Sequence, residues 1–563
     1  MVFKSNHPDI EIPQDGIFQY VMSNQKGISD NKIIYLDVNT SKGYTFGKLK
    51  SESKRFASGL RDKVGFKRGD VLAIYSSNQV DYPMVLLGTI AAGGKVTPVD
   101  PKYIANELSY QLLDSGASIL IVHPDLLETA IAASKEINNP NFRIFLFGDN
   151  EIRGYKPFRS ELIGEREFVP IFYTPEEANS TIAYICYSSG TTGKQKGVEI
   201  THTNLVSNLA QIYNVEKDLG THSVLAGPFY HIYALICCIH LTLIYGATLI
   251  IFPSYNIKTF CHCIQEYKID YVHAAPPVIL DLINYPDAKK YDLSSVKIIV
   301  SAGAPLSHEL EYTFYELFKI RTKQAYDSNN IITGSVQLYN SFNNSNDNFL
   351  MIHNVQKIGS CGTLLPNIKV KILSNDGHGN IYFSFLFPGE LCVHGPSIMK
   401  GYLNNSSAIN AAFDKDDFLH TGDIAYVDDQ GIYHIVDRKK ELIKYKGFSV
   451  APAELESILL THDKISDAAV IGCYSEENQT ELPIAYIVLK SEDKEKHPYL
   501  KNEIIQYVNS NVAPHKKIRD LLFIDKIPKS ESGKILRRVL RDMTMNEYVE
   551  DHGNFNYISL IFF

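Results

Sequence analysis

Short runs of β-branched and aromatic residues alternate with helical patterns through the first half of the chain. Val71–Tyr75 precedes a helical pattern at 84–92, and a second helical pattern at 107–113 precedes the run Ser-Ile-Leu-Ile-Val at 118–122. Two further runs, at 270–277 and 296–302, each lead through Gly or Pro into a helical pattern. Such alternation predicts parallel sheets covered by helices, with ligands bound where the strands end.

A chain of 563 residues exceeds one ordinary domain, so more than one unit is expected. After residue 389 a glycine-punctuated β region runs to residue 436, and the charged string Asp-Arg-Lys-Lys-Glu at 437–441 follows, as in a solvated connection. The sequence therefore predicts an α/β fold. A large N-terminal domain (1–436) of parallel-rich sheets, helices and a β region is followed by a small α+β C-terminal domain (437–563).

Composition excludes several classes of protein. A net charge of −8 with 21% charged residues discourages a nucleic-acid role. Eight cysteines without paired spacing indicate reduced intracellular thiols, and the close set at 261–263 favours helix packing over a metal site. The N-terminus has no apolar signal core, and the C-terminus does not end in a Ser-Lys-Leu type of peroxisomal address. We therefore expect an intracellular, cytoplasmic protein.

The uncharged stretch at 232–252 is long enough to span a bilayer. A histidine at 240 and a Tyr-Gly break at 245–246, followed by the strand-like residues 247–251, favour a buried helix, turn and strand instead. We therefore expect no transmembrane segment.

Residues 187–197, Tyr-Ser-Ser-Gly-Thr-Thr-Gly-Lys-Gln-Lys-Gly, concentrate hydroxyl groups, glycines and lysines in one short loop. Glycine lets backbone N–H groups approach an anion closely, the hydroxyls add donors, and Lys196 supplies a positive charge. A strand at 181–186 precedes the loop, and a capped helix is expected from residue 203 onwards. The loop is predicted to hold phosphates, although its spacing fits neither a P-loop nor a dinucleotide fingerprint. A flexible surface loop is the alternative.

The same string resembles the phosphate loop of the adenylate-forming superfamily, which contains acyl-CoA synthetases, 4-coumarate-CoA ligases, beetle luciferases and peptide-synthetase adenylation domains. The resemblance covers about residues 20–542 with the motifs in the expected order. The resemblance is greatest to 4-coumarate-CoA-ligase-like proteins. Residues 389–405 and 444–456 of this chain match their pattern at almost every position.

The resemblance implies a set of nucleotide-binding residues. Residues 421–423, Thr-Gly-Asp after Phe-Leu-His, are predicted to form a tight turn. By the resemblance, Asp423 would grip the ribose hydroxyls with Arg438 as a second contact, and Tyr326 would stack on adenine. The full set is Ser188, Ser189, Gly190, Thr191, Thr192, Gly193, Lys196, Gln324, Ala325, Tyr326, Asn329, Asp423 and Arg438.

Other motifs imply catalytic, acyl-binding and hinge residues. Lys534 matches the lysine that bridges the substrate carboxylate and the α-phosphate, and it would offset the charge that develops as pyrophosphate leaves. His231 would stand beside the carboxylate, with Tyr233, Ala302 and Gly303 lining the acyl pocket. Lys440 occupies the pivot position for rotation of the mobile small domain, and Lys444, Lys446 and Gly447 belong to the hinge and coenzyme A region.

The chain departs from the family pattern at the metal-binding element. Asn330 stands where the family has the glutamate that holds Mg²⁺, and Asn329 replaces a threonine that contacts phosphate. A neutral amide is a weaker ligand for Mg²⁺ than a carboxylate, so Asn330 is predicted to be a weak metal ligand. Phe252-Pro253-Ser254 also lacks a basic residue that relatives often offer to a phosphate of coenzyme A.

The sequence thus predicts an acid–thiol ligase with ATP, Mg²⁺ and coenzyme A as cofactors and a small-molecule carboxylic acid as substrate, of the 4-coumarate or fatty-acid type. The altered element predicts a reduced activity. The alternative from a different class is a catalytically weakened relative that binds nucleotide or acyl groups for regulation or scaffolding. Acyl transfer to a carrier protein and a luciferase-like oxidation stay open as minor alternatives, and the oligomeric state is unknown.

Overall fold

The computed structural model describes residues 2–188, 195–216, 220–303, 306–326, 360–374, 388–446, 448–475, 478–490, 498–530 and 533–552. The described strands, in chain order, are β1 (Phe3–Lys4), β2 (Ile33–Asp37), β3 (Gly43–Thr45), β4 (Val71–Tyr75), β5 (Lys95–Val99), β6 (Ala117–Val122), β7 (Arg143–Leu146), β8 (Ile182–Ser188), β9 (Lys196–Thr201), β10 (His222–Ala226), β11 (Thr248–Ile251), β12 (Tyr271–Ala274), β13 (Ile298–Ser301), β14 (Arg321–Gln324), β15 (Lys369–Leu373), β16 (Gly389–His394), β17 (Gly401–Tyr402), β18 (Leu419–Val427), β19 (Tyr433–Arg438), β20 (Ile443–Tyr445), β21 (Phe448–Val450), β22 (Ile465–Ser475), β23 (Thr480–Leu489) and β24 (Asp520–Phe523).

Helices cover and connect these strands. They are α1 (Ile17–Met22), α2 (Phe46–Val64), α3 (Tyr82–Ala91), α4 (Ala105–Ser115), α5 (Leu127–Ser134), α6 (Phe158–Leu162), α7 (Pro175–Ser180), α8 (His202–Val215), α9 (Ile232–Ala234), α10 (Leu241–Tyr245), α11 (Ile257–Tyr267), α12 (Pro276–Asn284), α13 (His308–Phe318), α14 (Ser406–Ala412), α15 (Pro452–Leu460), α16 (Pro498–Ser510) and α17 (Arg537–His552), with a π-helix at Leu235–His240 between α9 and α10.

Two seven-stranded sheets dominate the N-terminal part. One has the order β17-β9-β8-β5-β4-β6-β7 and the other β14-β13-β12-β10-β11-β2-β3. Their central pairs are parallel, whereas β9, β17 and β3 add antiparallel edges. The largest cluster of buried apolar residues draws on both sheets and on the helices around them. The predicted parallel-rich α/β architecture is therefore confirmed.

The β region is a five-stranded antiparallel sheet of order β1-β15-β16-β18-β19. Beyond it, β20 and β21 form a hairpin, and β22, β23 and β24 form a small mixed sheet. Helices α15 and α16 share with these strands a separate apolar core drawn entirely from residues 443–521. This is the small α+β unit that the sequence predicts, although the boundary at 436/437 stays a prediction.

The connection at 437–441 is only partly solvated. Lys440 is exposed, but Asp437 is buried, with 6% of its surface accessible. The Asp437 carboxylate accepts the backbone N–H groups of Arg438 at 2.7 Å and of Ala453 at 3.0 Å, in the first turn of α15. Burial raises the pKa of Asp437. The prediction of a solvated connection is wrong for Asp437, because the aspartate caps the first helix of the small unit.

Residues 232–251 contain α9, the π-helix, α10 and β11, with Gly246 in the left-handed region at φ +70° between the last two. This is the predicted buried helix, turn and strand. Among the helices that the structure describes, none is long and apolar enough to cross a lipid bilayer. Cys261 and Cys263 are buried on α11, in agreement with a packing role.

Candidate nucleotide and acyl site

Tyr326, Asp423 and Arg438 meet in one cluster. The Tyr326 hydroxyl donates a hydrogen bond to Asp423 Oδ2, and Arg438 Nε lies 3.0 Å from Asp423 Oδ1. Burial, with the neighbouring Asp423 carboxylate second, raises the pKa of the Tyr326 phenol, so the hydroxyl is a fixed donor at neutral pH. The structure thus brings together three residues that lie up to 112 positions apart (326 to 438).

A β-bulge positions Asp423. Along β18 the register with β16 shifts between the pairs Cys392↔His420 and Glu390↔Ile424, and Gly422 lies in the bulge at φ +70°. Asp423 then pairs with Arg438 across β18 and β19. The sequence predicted a tight turn here, which is wrong because strand pairing continues on both sides of the glycine. A left-handed glycine in a bulge redirects the following side chain.

Lys534 approaches this cluster from the small unit. Burial lowers the pKa of Lys534 to about 8, and the positive charge of Arg438 is the second cause that lowers it. The carboxylates of Glu441 and Asp423 act in the opposite direction. Its backbone is fixed by a turn in which Ser530 N donates to Lys534 O at 2.8 Å and Lys534 N donates to Ser530 Oγ at 3.1 Å. An ammonium in a partly desolvated position acts strongly on nearby developing charge.

The turn that carries Lys534 packs on the large domain. Gly533 has φ +80°, and a Cβ atom placed on it would lie 2.6 Å from Pro277 Cγ at the start of α12. Two interdomain hydrogen bonds accompany this approach, from Asn284 Nδ2 to Ser466 O at 3.1 Å and from Ser457 Oγ to a Glu309 carboxylate oxygen. The two units are therefore in direct contact beside the cluster.

The stems of the predicted phosphate loop form an antiparallel pair, with Ser188 opposite Lys196. Ser189, Gly190, Thr191, Thr192 and Gly193 lie outside the described residues. The expected order of strand, loop and helix is wrong, since β9 intervenes before α8. Its alternating Val-Glu-Ile-Thr sequence pairs with β8.

Aromatic side chains support the same stems. The Tyr103 hydroxyl donates to Gln195 Oε1, and the Tyr110 hydroxyl donates to Gln195 O at 3.0 Å. Lys196 Nζ lies 5.0 Å from the centroid of the Tyr402 ring, within the range of a cation–π contact. These contacts fix the position from which Lys196 would reach a phosphate.

His231 and Tyr233 begin α9. His231 is the N-cap, and its Nδ1 accepts the backbone N–H of Tyr233 at 3.3 Å. In the neutral imidazole the proton then resides on Nε2, which is a donor suited to a carboxylate. The Tyr233 hydroxyl is 2.9 Å from His273 Nδ1 on β12 and 3.4 Å from Val300 O on β13.

The segment after β13 contains Ala302, which is buried, and Gly303 at φ +86°. Gln324 supports this segment: its Nε2 donates to Leu306 O at 2.9 Å and to Glu311 Oε2 at 3.1 Å, and its Oε1 accepts the N–H of Leu306 at 3.2 Å. Ala325 N donates to Ser301 O at 2.8 Å. The Gln324 amide thus holds the segment that follows β13, and its roles in nucleotide binding and beside the predicted acyl pocket stay predictions. Asn329 and Asn330 lie outside the described residues.

The predicted hinge and coenzyme A residues lie on or before the β20–β21 hairpin. Lys440, Lys444 and Lys446 are exposed, while Gly447 lies outside the described residues. Lys444 Nζ donates to Ser449 Oγ at 2.7 Å, and Lys446 has φ +46°. Phe448 stacks on His515 with ring centroids 4.6 Å apart, an aromatic contact that the sequence did not predict.

Sequence reasoning also missed two polar residues that hold the segment immediately before His231. Asn78, after β4, donates from Nδ2 to Gly227 O at 2.8 Å and accepts the N–H of Phe229 at 2.7 Å. Asp100, after β5, accepts the Tyr230 hydroxyl at 2.9 Å. Both follow the carboxyl ends of parallel strands, and that position was the available signal.

The sequence matches two family models in the order of the two structural units. Residues 24–403 match the AMP-binding enzyme model, and residues 454–534 match the model of the AMP-binding enzyme C-terminal domain. The chain belongs to the AMP-binding enzyme family.

Curated relatives match over nearly full length. A "4-coumarate--CoA ligase-like 9" of Oryza sativa subsp. japonica is 34% identical, with 96% of this chain and 95% of the relative covered. The "4-coumarate--CoA ligase" of Pinus taeda is also 34% identical, with 96% and 97% covered.

Solved structures share the fold. The anthranilate CoA ligase AuaEII in complex with anthranoyl-AMP has a TM-score of 0.82 at 21% identity, covering 94% of this chain and 98% of that chain. A benzoate CoA ligase from Burkholderia xenovorans LB400 has a TM-score of 0.79 at 22% identity, covering 93% and 99%. At these identities the likeness concerns the fold alone.

Proposed function

We propose that this protein is an ATP-dependent carboxylic acid–CoA ligase. The observation that carries the proposal is the cluster of Tyr326, Asp423 and Arg438 with Lys534 brought beside it by the small domain. The names of the full-length relatives as CoA ligases support the same activity.

In the first step a carboxylate oxygen of the substrate attacks the α-phosphorus of ATP, and the bond to pyrophosphate breaks. This displacement needs little acid–base chemistry, so positioning and electrostatics supply the catalysis. Asp423 accepts hydrogen bonds from the ribose hydroxyls, His231 Nε2 donates to the substrate carboxylate, and Lys534 stabilises the charge that develops on the phosphate.

In the second step the thiolate sulfur of coenzyme A attacks the acyl carbonyl, and AMP leaves. The exposed hairpin with Lys444 and Lys446 offers positive charge to a phosphate of coenzyme A. We propose that the small C-terminal domain rotates about Lys440 between the two steps, because Lys534 and the hairpin serve different steps.

Mg²⁺ supplies charge neutralisation on the phosphates in reactions of this type. Asn330, the residue that the resemblance places at the metal, lies outside the described residues, so the steps above use protein groups alone. The proposed acid is an aromatic or fatty carboxylate, since small residues at Ala302 and Gly303 leave room beside Tyr233.

The test is carboxylate-dependent ATP–pyrophosphate exchange in the presence of Mg²⁺. Cinnamic, benzoic, medium-chain and long-chain acids are compared, with Lys534→Ala as the blank. Exchange with one class of acid supports the ligase and identifies its substrate class. Binding of ATP without exchange for any acid contradicts the ligase and favours a nucleotide-binding protein without activity.

A further inference from the structure

Glu390, Cys392 and His420 form a compact cluster on the five-stranded sheet. None of the three takes part in the Asp423–Arg438 contact. One potential ligand atom from each residue lies within 4.8 Å of the others. Glu390 and Cys392 are two positions apart on β16, so their side chains share a face, and His420 lies opposite Cys392 on β18. The sheet therefore presents a carboxylate, a thiol and an imidazole to one point.

Two of the three ligand–ligand distances fit the edges of a zinc tetrahedron. With Zn–S near 2.3 Å and Zn–N or Zn–O near 2.0–2.2 Å, tetrahedral angles place sulfur about 3.5 Å and oxygen about 3.4 Å from the nitrogen. Cys392 Sγ is 3.5 Å from His420 Nδ1, and Glu390 Oε2 is 3.3 Å from the same nitrogen. The third pair, Cys392 Sγ and a Glu390 carboxylate oxygen, lies within 4.8 Å, so the Glu390 carboxylate is the group that would adjust to accept such an ion.

From this geometry we propose that Glu390, Cys392 and His420 bind a zinc-type divalent cation, with a water molecule as the fourth ligand. The mixed sulfur, nitrogen and oxygen set suits Zn²⁺ and is unsuited to Mg²⁺, which prefers oxygen ligands. As the Sγ–metal bond forms, the thiol proton of Cys392 passes to solvent. The His420 side chain, 29% exposed, gives the ion access to the two deeper ligands.

Lys439 competes with the metal. Its ammonium lies 2.8 Å from Glu390 Oε2, and its backbone N–H donates to Gly422 O at 2.8 Å in the bulge that precedes Asp423. The Lys439 side chain is 49% exposed and can withdraw into solvent. Metal binding would thus release a contact immediately before Lys440.

The test is Zn²⁺ titration of the metal-free protein by calorimetry, together with Co²⁺ as a spectroscopic probe. The proposal expects one Zn²⁺ per chain and a thiolate-to-Co²⁺ charge-transfer band. Cys392→Ser and His420→Asn should each weaken binding at least about tenfold. Lys439→Met should tighten binding, since it removes the competing cation and leaves every ligand in place. Cys263→Ser, in the Cys-His-Cys sequence of α11, is the control and should change neither the Zn²⁺ affinity nor the Co²⁺ charge-transfer band.

Three outcomes would overturn the proposal. They are a wild-type protein without a thiolate band under Co²⁺, equal Zn²⁺ affinity in wild type and in folded Cys392→Ser, and weaker binding in Lys439→Met. The Lys439 variant and the Co²⁺ band keep the test decisive even if a ligand variant fails to fold. The titration needs no ATP or acid, so its result is independent of the proposed ligase activity.

Discussion

At the scale of single residues, Lys534 combines burial with a position beside Arg438 and Asp423. Burial lowers its pKa to about 8, so the ammonium predominates below that pH and is lost above it. A step that needs the positive charge must then slow as the pH rises through this range.

The first prediction concerns the pH dependence of adenylation. The pyrophosphate-exchange kcat/KM should fall on the alkaline side with a midpoint near pH 8, the value to which burial brings the pKa of Lys534. In kcat the midpoint should be higher, because bound ATP adds negative charge that favours the ammonium. Lys534→Arg should abolish this alkaline limb, since guanidinium stays charged. Lys534→Ala should lower the rate on the order of 100-fold or more while ATP binding is largely kept. If Lys534→Arg kept the same alkaline decrease in kcat/KM, the decrease could not be assigned to Lys534.

The second prediction concerns His273, which burial keeps neutral by lowering its pKa to about 3. Its hydrogen bond fixes the Tyr233 hydroxyl, so His273→Ala and Tyr233→Phe should both alter the relative kcat/KM among acids, by roughly tenfold. The KM for ATP should stay unchanged. Tyr271→Phe is the matched control, because this buried hydroxyl on the same strand has no hydrogen-bond partner among the described residues. A shift in acid preference with Tyr271→Phe alone would exclude the proposed positioning role.

The residues that could be predicted are those that belong to a short sequence motif. Asp423, Arg438, Tyr326 and Lys534 were placed in one site from local motifs, and the structure brings them together. The hydrogen bonds of the Gln324 amide to Leu306 were not predicted, because hydrogen bonds between distant segments leave no local pattern, and its role in nucleotide binding stays a prediction. Asn78 and Asp100 follow the carboxyl ends of parallel strands, which was a signal, but their partners Gly227 and Tyr230 lie in a distant segment and were not predicted.

At the scale of elements, the bulge in β18 shows what pattern alone could not supply. The sequence predicted a turn at Gly422, since Thr-Gly-Asp is common in turns, yet cross-strand pairing with β16 and β19 overrides that preference. Likewise β9 was missed because the glycine loop was expected to lead directly into a helix, whereas its alternating residues pair with β8. The strands that were predicted well, such as Val71–Tyr75, are buried and regular.

The third prediction tests the bulge. Gly422→Ala should destabilise the fold by about 1 kcal/mol, because alanine is strained in the left-handed region. It should also weaken ATP binding, since relief of the strain would turn Asp423 away from Tyr326 and Arg438. Gly65→Ala is the matched control: Gly65 has φ +69° against +70° at Gly422, and an added Cβ meets nothing within 4 Å at either position. Thermal unfolding and ATP titration of both variants separate the two effects, and equal ATP affinities would contradict the positioning role of the bulge.

At the scale of the whole molecule, contacts among the described residues join the small domain to the large one beside the cluster of Tyr326, Asp423 and Arg438. Arg537 Nη2 pairs with Glu456 of α15 at 2.6 Å, and Arg541 Nη2 pairs with Glu441 at 2.9 Å, so both ion pairs fix α17, which begins three residues after Lys534, to the rest of the C-terminal part. Against the large domain, the turn relies on the close approach of Gly533 to Pro277. Rotation of the small domain would therefore carry Lys534 away as part of a rigid unit.

The fourth prediction follows from that approach. In Gly533→Ala the new Cβ would lie 2.6 Å from Pro277 Cγ and 2.8 Å from Pro277 Cδ, so the Lys534 turn must withdraw from the large domain. Pyrophosphate exchange should fall at least about tenfold, because small misplacements of a catalytic group are costly. Thioester formation from supplied acyl-adenylate and coenzyme A should change much less, since the proposed second step does not use this contact. Gly69→Ala is the matched control. Gly69 has φ +88° and Gly533 has φ +80°, but a Cβ atom on residue 69 meets nothing within 4 Å, so this variant has the backbone strain without the clash. Equal loss of both half-reactions, or the same loss in Gly69→Ala, would show that the contact does not serve adenylation.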